Sequence, residues 1–394
     1  TTYDNLFRHL FYSIAQLDVL TTHAHNSLEF GYVQPIIDDT VEHSYIKARD
    51  LRHPIIERLD TRIPYTPHTF DLNYSKKQQG ILLYGVNSSG KSSVMKAVGL
   101  ATIMAQSGMY VPAMEFIFHP YRKICTRILG NDNLFRGLSS FAVEMSELRG
   151  ILYRADPYTL VLGDEVCHGT EQISAISIVA SSLVELTNVG ASYMFATHLH
   201  ELSQLTLIQK LQSLRIYHLS VRYDEERDCL IYERKLKKGT GSSLYGLEVA
   251  RAMKLPNHVL QRAHQVRTSL FSSKDTVNSL GNDDEENPVK ISRYNKKVVH
   301  SSCEICGKPS EEVHHIQFQE QSDEMGHVDE RTKCKKNAIS NLVPLCQEHH
   351  EHVHHGRSND GNILVIHGYV QDTSSCGYHL SYEYRSKKKS LLHS

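Results

Sequence analysis

Gly85-Val86-Asn87-Ser88-Ser89-Gly90-Lys91-Ser92 fits the phosphate-binding loop pattern G-x-x-x-x-G-K-[ST] at every fixed position. The run before it, Ile81-Leu82-Leu83-Tyr84, is apolar and suits a buried strand. After it Val94, Ala97, Val98, Ala101 and Ala105 recur at helical spacing. Strand, glycine loop and helix in that order aim backbone N–H groups and a helix N-terminus at phosphate oxygens. Lys91 then reaches the β- and γ-phosphates and the Ser92 hydroxyl sits on Mg²⁺. Gly85, Asn87, Ser88, Ser89, Gly90 and Ser93 complete the nucleotide contact.

Downstream, Leu160-Val161-Leu162 runs into Gly163-Asp164-Glu165. On its own, an Asp-Glu pair at a strand end is usually just solvated. Some 70 residues after a phosphate loop it supplies the rest of a triphosphatase site: Asp164 for Mg²⁺ and Glu165 to polarise the attacking water. Between the two, Gly137 to Met145 opens a helix with Ser139 or Ser140 as N-cap. Ile173, Ile176, Val179, Leu183 and Leu186 make a further helix. Tyr193-Met194-Phe195-Ala196 makes a strand that ends in Thr197-His198. Strands alternating with helices predict a parallel sheet covered on both faces. His198 lies at a strand's carboxyl end, where such sheets bind ligands, and is a candidate γ-phosphate sensor; a satisfied core histidine is the plainer alternative.

At 394 residues the chain can hold two or three cored domains, and its net charge of -1 selects no partner. No run approaches the ~20 apolar residues of a membrane span. Thr1 opens in mid-pattern, as a piece of a longer chain would. Leu6, Leu10, Ile14, Leu17 and Leu20 stripe a packing helix over 1–22, and Arg52-His53-Pro54 and Pro64-Tyr65-Thr66-Pro67 lead as strand and turn into the loop strand. Five of the eight cysteines fall after residue 300, which suits a reducing compartment and a local metal site better than a disulfide framework.

Residues 243–266 read as two short helices broken at Leu255-Pro256-Asn257, suited to helical packing or dimer contact. A polar stretch, 272–287, reads as a linker. Beyond it stand two knuckles, Cys303-Glu304-Ile305-Cys306 and Cys346-Gln347-Glu348-His349. Four ligands in two pairs predict tetrahedral zinc, with Cys334 a rival to His349 for the fourth place. His314 and His315 end a strand, and His350 and His354 lie one helical turn apart. A structural zinc site needs none of these, and the surplus suggests a second metal and chemistry. Ile363–Val370 and Tyr378–Arg385 read as a hairpin before a basic tail.

Residues 1–270 resemble the carboxyl-terminal part of the MutS mismatch-repair family. The likeness rests on Arg52-His53-Pro54, the loop with its Asn87, 139–145, Asp164 through Thr170, Ala196-Thr197-His198 and Tyr245 to Ala250 with Leu255-Pro256. It implies an ABC-type ATPase whose two ATP sites form across a homodimer, Ser139 and Ser140 reaching the partner's nucleotide and Tyr65 stacking on adenine. It also implies a helix-turn-helix dimer element. His168 stands where the family more often has Arg. The segment 137–145 lacks the L-S-G-G-Q character of other ABC ATPases, which counts against a chromosome-organising relative.

Residues 300–356 resemble the HNH, or ββα-metal, endonucleases. That likeness implies His315 as general base, Asn341 orienting it, and His314 with His350 or His354 holding Mg²⁺ or Mn²⁺. MutS proteins fused to such a module form a subgroup found in giant viruses, octocoral mitochondria and some bacteria, and the chain is similar to these. The expected class is therefore α/β: a P-loop ABC-type ATPase sheet with flanking helices, then a small zinc-containing HNH domain. The expected domains are a helical end at 1–44, the ATPase at 45–240, the helix-turn-helix at 241–271 and a linker at 272–296. The nuclease at 297–370 and a hairpin with basic tail at 371–394 complete them. The expected function is an ATP-dependent DNA-repair ATPase that nicks double-stranded DNA in an intracellular, reducing compartment. The alternative is an ATP-gated DNA binder whose zinc module is only structural.

Overall fold

The computed structural model describes residues 2–59, 61–75, 77–128, 140–224, 229–241, 247, 250–251, 255–271, 290–291, 299–300, 302–355, 362–372 and 377–386. They divide into two compact units. One comprises residues 1–58, 65–220 and 234–243, the other 59–64, 221–233 and 244–394.

The first unit opens with helix α1 (Thr2–Phe30), longer than its apolar stripe predicted. Leu6, Leu10, Ile14, Leu17 and Leu20 are all at least half exposed on it. Strands β1 (Ile36–Ile37), β2 (Tyr45–Leu51) and β3 (His68–Leu72) follow, then β4 (Gly80–Tyr84), the loop and α2 (Lys91–Gln106). Next come β5 (Glu115–His119), β6 (Lys123–Arg127), α3 (Ser140–Arg154), β7 (Thr159–Asp164) and α4 (Gln172–Asn188). Strand β8 (Ser192–Ala196), the short α5 (Thr206–Gln209), β9 (Leu214–Asp224) and β10 (Cys229–Lys238) end the series, residues 221–233 of the last two counting with the second unit.

The main sheet has the order β10-β9-β4-β8-β7-β6, and its pairs from β9 to β6 are parallel. Every residue of β4, β7 and β8 is buried, as expected of parallel strands covered on both faces. Val94, Val98 and Ala101 of α2 fill one side with Ile81 and Leu83. Leu148 of α3 and Val179 and Leu183 of α4 fill the other with Leu82 and Val161. Two glycines set the strand spacing. Gly80 and Gly163 pair with Tyr193 and Phe195 of β8, and a Cβ at either would run into the facing ring.

A second sheet, β1-β5-β2-β3, joins residues 36–37 to β5 through Ile36 and Ile117. A domain boundary at residue 44 therefore cuts through a sheet. Arg52 is wholly buried beside it, donating from Nε to Glu57 Oε2 at 2.6 Å and from Nη2 to the Phe30 carbonyl at 3.0 Å. This arginine of the Arg-His-Pro motif holds the framework rather than a ligand.

In the second unit α6 (Asn257–Phe271) begins one residue after Pro256. Leu260 is buried while Val259 and Val266 stay exposed. The first of the two expected helices falls mostly on residues outside those described. Two residues of β11 (Lys290–Ile291) pair with β12 (Val299–His300), so the expected linker carries a short strand at its end. Strands β13 (Glu312–His315) and β14 (Leu342–Leu345) pair antiparallel and lead into helix α7 (Gln347–His355). Strands β15 (Asn362–Gln371) and β16 (Tyr378–Ser386) close the unit as a hairpin. Tyr369 and Leu380 from it share one core with Val343, Leu345, Cys303 and Cys346. The expected division at 370/371 is thus corrected: it would split a paired hairpin and its core.

Candidate functional site

Two centres stand out, one in each unit. In the first, the carboxyl ends of β4, β7 and β8 meet. The Glu165 N–H donates to the Ala196 carbonyl at 2.9 Å, and the Thr197 N–H donates to that of Leu83 at 3.1 Å. Beyond them lies a cleft of about 450 Å³, lined by Tyr65, the loop from Asn87 to Ser93, and Glu165. Gly90 enters α2 at φ 103°, in the left-handed region that favours glycine. Glu165 holds φ 48°, which is rare for a residue with a side chain and concentrates at sites where chemistry is set.

Lys91 Nζ donates to the Gly85 carbonyl at 2.7 Å and stands 3.1 Å from His198 Nε2 and 3.9 Å from Glu165 Oε1. His198 Nε2 is also 2.7 Å from Glu165 Oε1. One ring nitrogen serves only one of these partners at a time. Burial, then the Lys91 charge, lowers the His198 pKa; the Glu165 carboxylate, which only accepts, takes the Nε2 N–H. Burial likewise pulls the Lys91 ammonium below its ordinary value against the opposing charges of Glu165 and Asp164. The residues fit a nucleotide with Mg²⁺. Asp164 is buried with Oδ1 unpartnered, and Ser89 Oγ in the loop is likewise buried and unpartnered. A buried carboxylate oxygen with no donor is stabilised by a cation.

Ile56, Thr66, His68 and Arg234 also line this cleft and carry no motif that would find them in the sequence. His53 Nδ1 accepts from the N–H groups of Ile55 and Ile56 at 3.2 and 3.3 Å, a local turn that sets Ile56 at the cleft. Tyr65 packs edge-on against His68, whose pKa burial lowers to about 4. Ser139 lies outside the described residues, and Ser140 begins α3. His168 is exposed.

In the second unit, Cys303, Cys306, Cys346 and His349 bring their ligand atoms within 4.8 Å of one another. The Cys306 and Cys346 sulfurs are 3.8 Å apart, and His349 Nδ1 lies 3.2 Å from Cys346 Sγ and 3.6 Å from Cys303 Sγ. A tetrahedral zinc with Zn–S near 2.3 Å spaces its sulfurs by about 3.8 Å, so the donors fit. Cys334 is not in the cluster; its Sγ lies 3.3 Å from Ser340 Oγ. His349, rather than Cys334, completes the set.

A second group, His314, His350 and His354, gathers where β13 meets α7. Ring centroids are 4.6 to 5.6 Å apart, and His350 Nε2 lies 3.2 Å from Glu312 Oε2. Burial, then the charges of His354, His350 and His315, holds the His314 pKa down at about 3. Its imidazole is neutral at any working pH and has a lone pair to give a metal.

His315 points elsewhere. Its Nε2 is 3.1 Å from Asn337 Oδ1 and 2.9 Å from Gln319 Nε2. Asn341 does not touch that ring. Its Oδ1 accepts from the Gln317 N–H at 2.7 Å and its Nδ2 donates to the carbonyls of Gln317 and Lys336. Direct orientation of His315 by Asn341 is therefore corrected: Asn341 fixes the backbone two residues on, while Asn337 and Gln319 contact the imidazole. Neither of the latter stood out in the sequence, because lone amides have no spacing signature.

The parallel sheet, its glycine loop and the Asp-Glu strand end define the first unit as a phosphate-loop nucleoside triphosphatase domain. Residues 81–271 match the family model of MutS domain V. The chain is 38% identical to a mutS homologue of Acanthamoeba polyphaga mimivirus, over 95% of the chain and 36% of that protein. It is 37% identical to the mitochondrial DNA mismatch repair protein mutS homologue of Sarcophyton glaucum, over 90% of the chain and 34% of that protein. With the DNA mismatch repair protein MutS of Chlorobium phaeovibrioides it shares 35% identity, over 66% of the chain and 29% of that protein. The chain thus spans about a third of the length of these relatives. Among the described residues no helix is long and apolar enough to cross a membrane.

Replacing Cys303 or Cys346 by serine is expected to unfold the region after residue 302 while ATP binding persists. Structural zinc contributes roughly 10–16 kcal/mol to such modules, comparable to the roughly 5–15 kcal/mol that holds a whole typical domain. The cleft of the first unit draws on none of its residues. Limited proteolysis with and without chelator checks this; resistance that survives full chelation would remove zinc from the fold.

Proposed function

We propose that this chain hydrolyses ATP as one half of a DNA-repair ATPase dimer and nicks double-stranded DNA with its second unit. Supporting the first part are the loop, the unpartnered Asp164 oxygen and the Glu165–His198 contact. Lys91 and the loop N–H groups bind the β- and γ-phosphates, Ser92 and Asp164 hold Mg²⁺, and Tyr65 flanks the base. Glu165 takes the proton of the attacking water, and His198 orients that carboxylate and meets the γ-phosphate. Ser139 and Ser140 reach the partner's nucleotide, and the exposed Val259 and Val266 of α6 suit the dimer contact.

The observation that carries the nuclease is the surplus of ligands. Four Cys/His donors that could hold one metal ion lie together, and a separate histidine triad sits on the same β-β-α arrangement. His314, His350 and His354 would hold a divalent cation, Mn²⁺ suiting three imidazoles better than the oxygen-seeking Mg²⁺, and the ion when bound stabilises charge on the phosphate and leaving oxygen. His315 accepts a proton from water at Nε2 once water displaces both Gln319 and Asn337 from that nitrogen. Asn341 steadies the strand end.

A second reading is a zinc module that binds DNA without cutting it. The two amide contacts that already occupy buried His315 favour it. Supercoiled plasmid separates the two. Conversion to open circles by the full chain in Mg²⁺ or Mn²⁺, with and without ATP, is the expected result. Retarded but uncut plasmid under every metal and nucleotide condition would leave only the binding module.

A further inference from the structure

A third cluster lies in the second unit, away from both histidine centres, and no motif announces it. Cys229 opens β10, Asp372 follows β15 and His379 lies on β16. The register brings them to one face. Ile231 bridges Asp372 antiparallel, so Cys229, two residues back, shares the Ile231 side. Val370 pairs with His379, so Asp372, two residues on, shares the Val370 side. Each acceptor is thus the diagonal neighbour of the next, within reach across paired strands.

Asp372 Oδ2 lies 2.7 Å from His379 Nδ1 and 3.8 Å from Cys229 Sγ. All three ligand atoms fall within 4.8 Å of one another. Cys229 is 2% exposed and Asp372 4%, while His379 keeps a side open to solvent. We propose that Cys229, Asp372 and His379 form a third metal site, taking a zinc-class divalent cation with water in the fourth position.

The donor set selects that class. A thiolate, a carboxylate and a neutral imidazole are the ligands of zinc or cobalt, whereas magnesium and calcium take oxygen. One divalent cation with thiolate and carboxylate leaves the buried site neutral, removing the cost of burying either anion alone. A tetrahedral ion asks for donor separations of about 3.3 to 3.8 Å. The sulfur-to-oxygen distance already lies there, and the direct Asp–His contact has only to open by about half an ångström. Bound metal would clasp the start of β10 to the closing hairpin.

Zinc content of the full chain, loaded and then dialysed against a weak chelator, tests this by mass spectrometry. Cys229→Ser, Asp372→Asn and His379→Gln are each expected to lose one zinc relative to the wild type and no more. An unchanged count in all three would overturn the site. Should a variant fail to fold, cadmium-113 resonance of the unmodified chain decides. A one-thiolate resonance distinct from that of the three-cysteine site is expected. Its absence from the saturated wild type would reduce the cluster to an Asp–His pair beside a thiol.

Discussion

Glu165→Ala is expected to bind ATP with little change and to hydrolyse it at least ~100-fold more slowly, the scale of a lost general base. The Glu165 carboxylate sits 2.7 Å from His198 and 3.9 Å from Lys91, so its loss strips the water site but leaves the loop intact. Lys91→Ala differs in kind. It removes the cation that reaches the β- and γ-phosphates, so binding weakens along with turnover. Phosphate release in saturating ATP, paired with equilibrium binding of a fluorescent nucleotide, separates the two. Hydrolysis by Glu165→Ala at the wild-type rate would take Glu165 out of the mechanism.

His315→Ala is expected to lower plasmid nicking by roughly 100-fold or more while zinc content, fold and DNA retention persist. His350→Ala should also cut nicking, but raised Mg²⁺ or Mn²⁺ should restore part of it, because two triad members remain to hold the ion. The metal titration is what distinguishes a lost base from a weakened ligand. Near wild-type nicking by His315→Ala would move the base elsewhere. Rescue of His315→Ala by metal would make that histidine a ligand.

What could be read from the residues follows what is local. The loop, the Asp-Glu strand end, Thr197-His198 and the paired knuckles each pack their chemistry into a few consecutive positions. Strand and helix periods then fix where those positions lie. Lys91, Glu165 and His198 lie within 4 Å of one another, although they are spread over 107 residues. Groups supplied singly by a distant element escape notice. Arg234 reaches the ATP cleft from β10, Asn337 reaches His315 from a loop, and Cys229 meets Asp372 and His379 only through strand register. The α1 stripe shows the converse. Its period correctly gave a helix and an apolar face, but not whether anything in this chain covers that face.

Helix α7 carries one member of the Cys/His cluster and two of the histidine triad in nine residues. Successive residues turn by about 100° around such a helix, so His349 and His350 look in adjacent directions from one rigid rod. This imposes an order on how a lineage can shed its activities. A descendant that loses His315 or His354 still has a folded module that can go on contacting DNA. One that loses Cys346 or His349 loses the rod itself, and with it every histidine aimed from it. Inactive descendants should therefore keep the four clamp residues long after the triad has decayed, and the reverse combination should not persist.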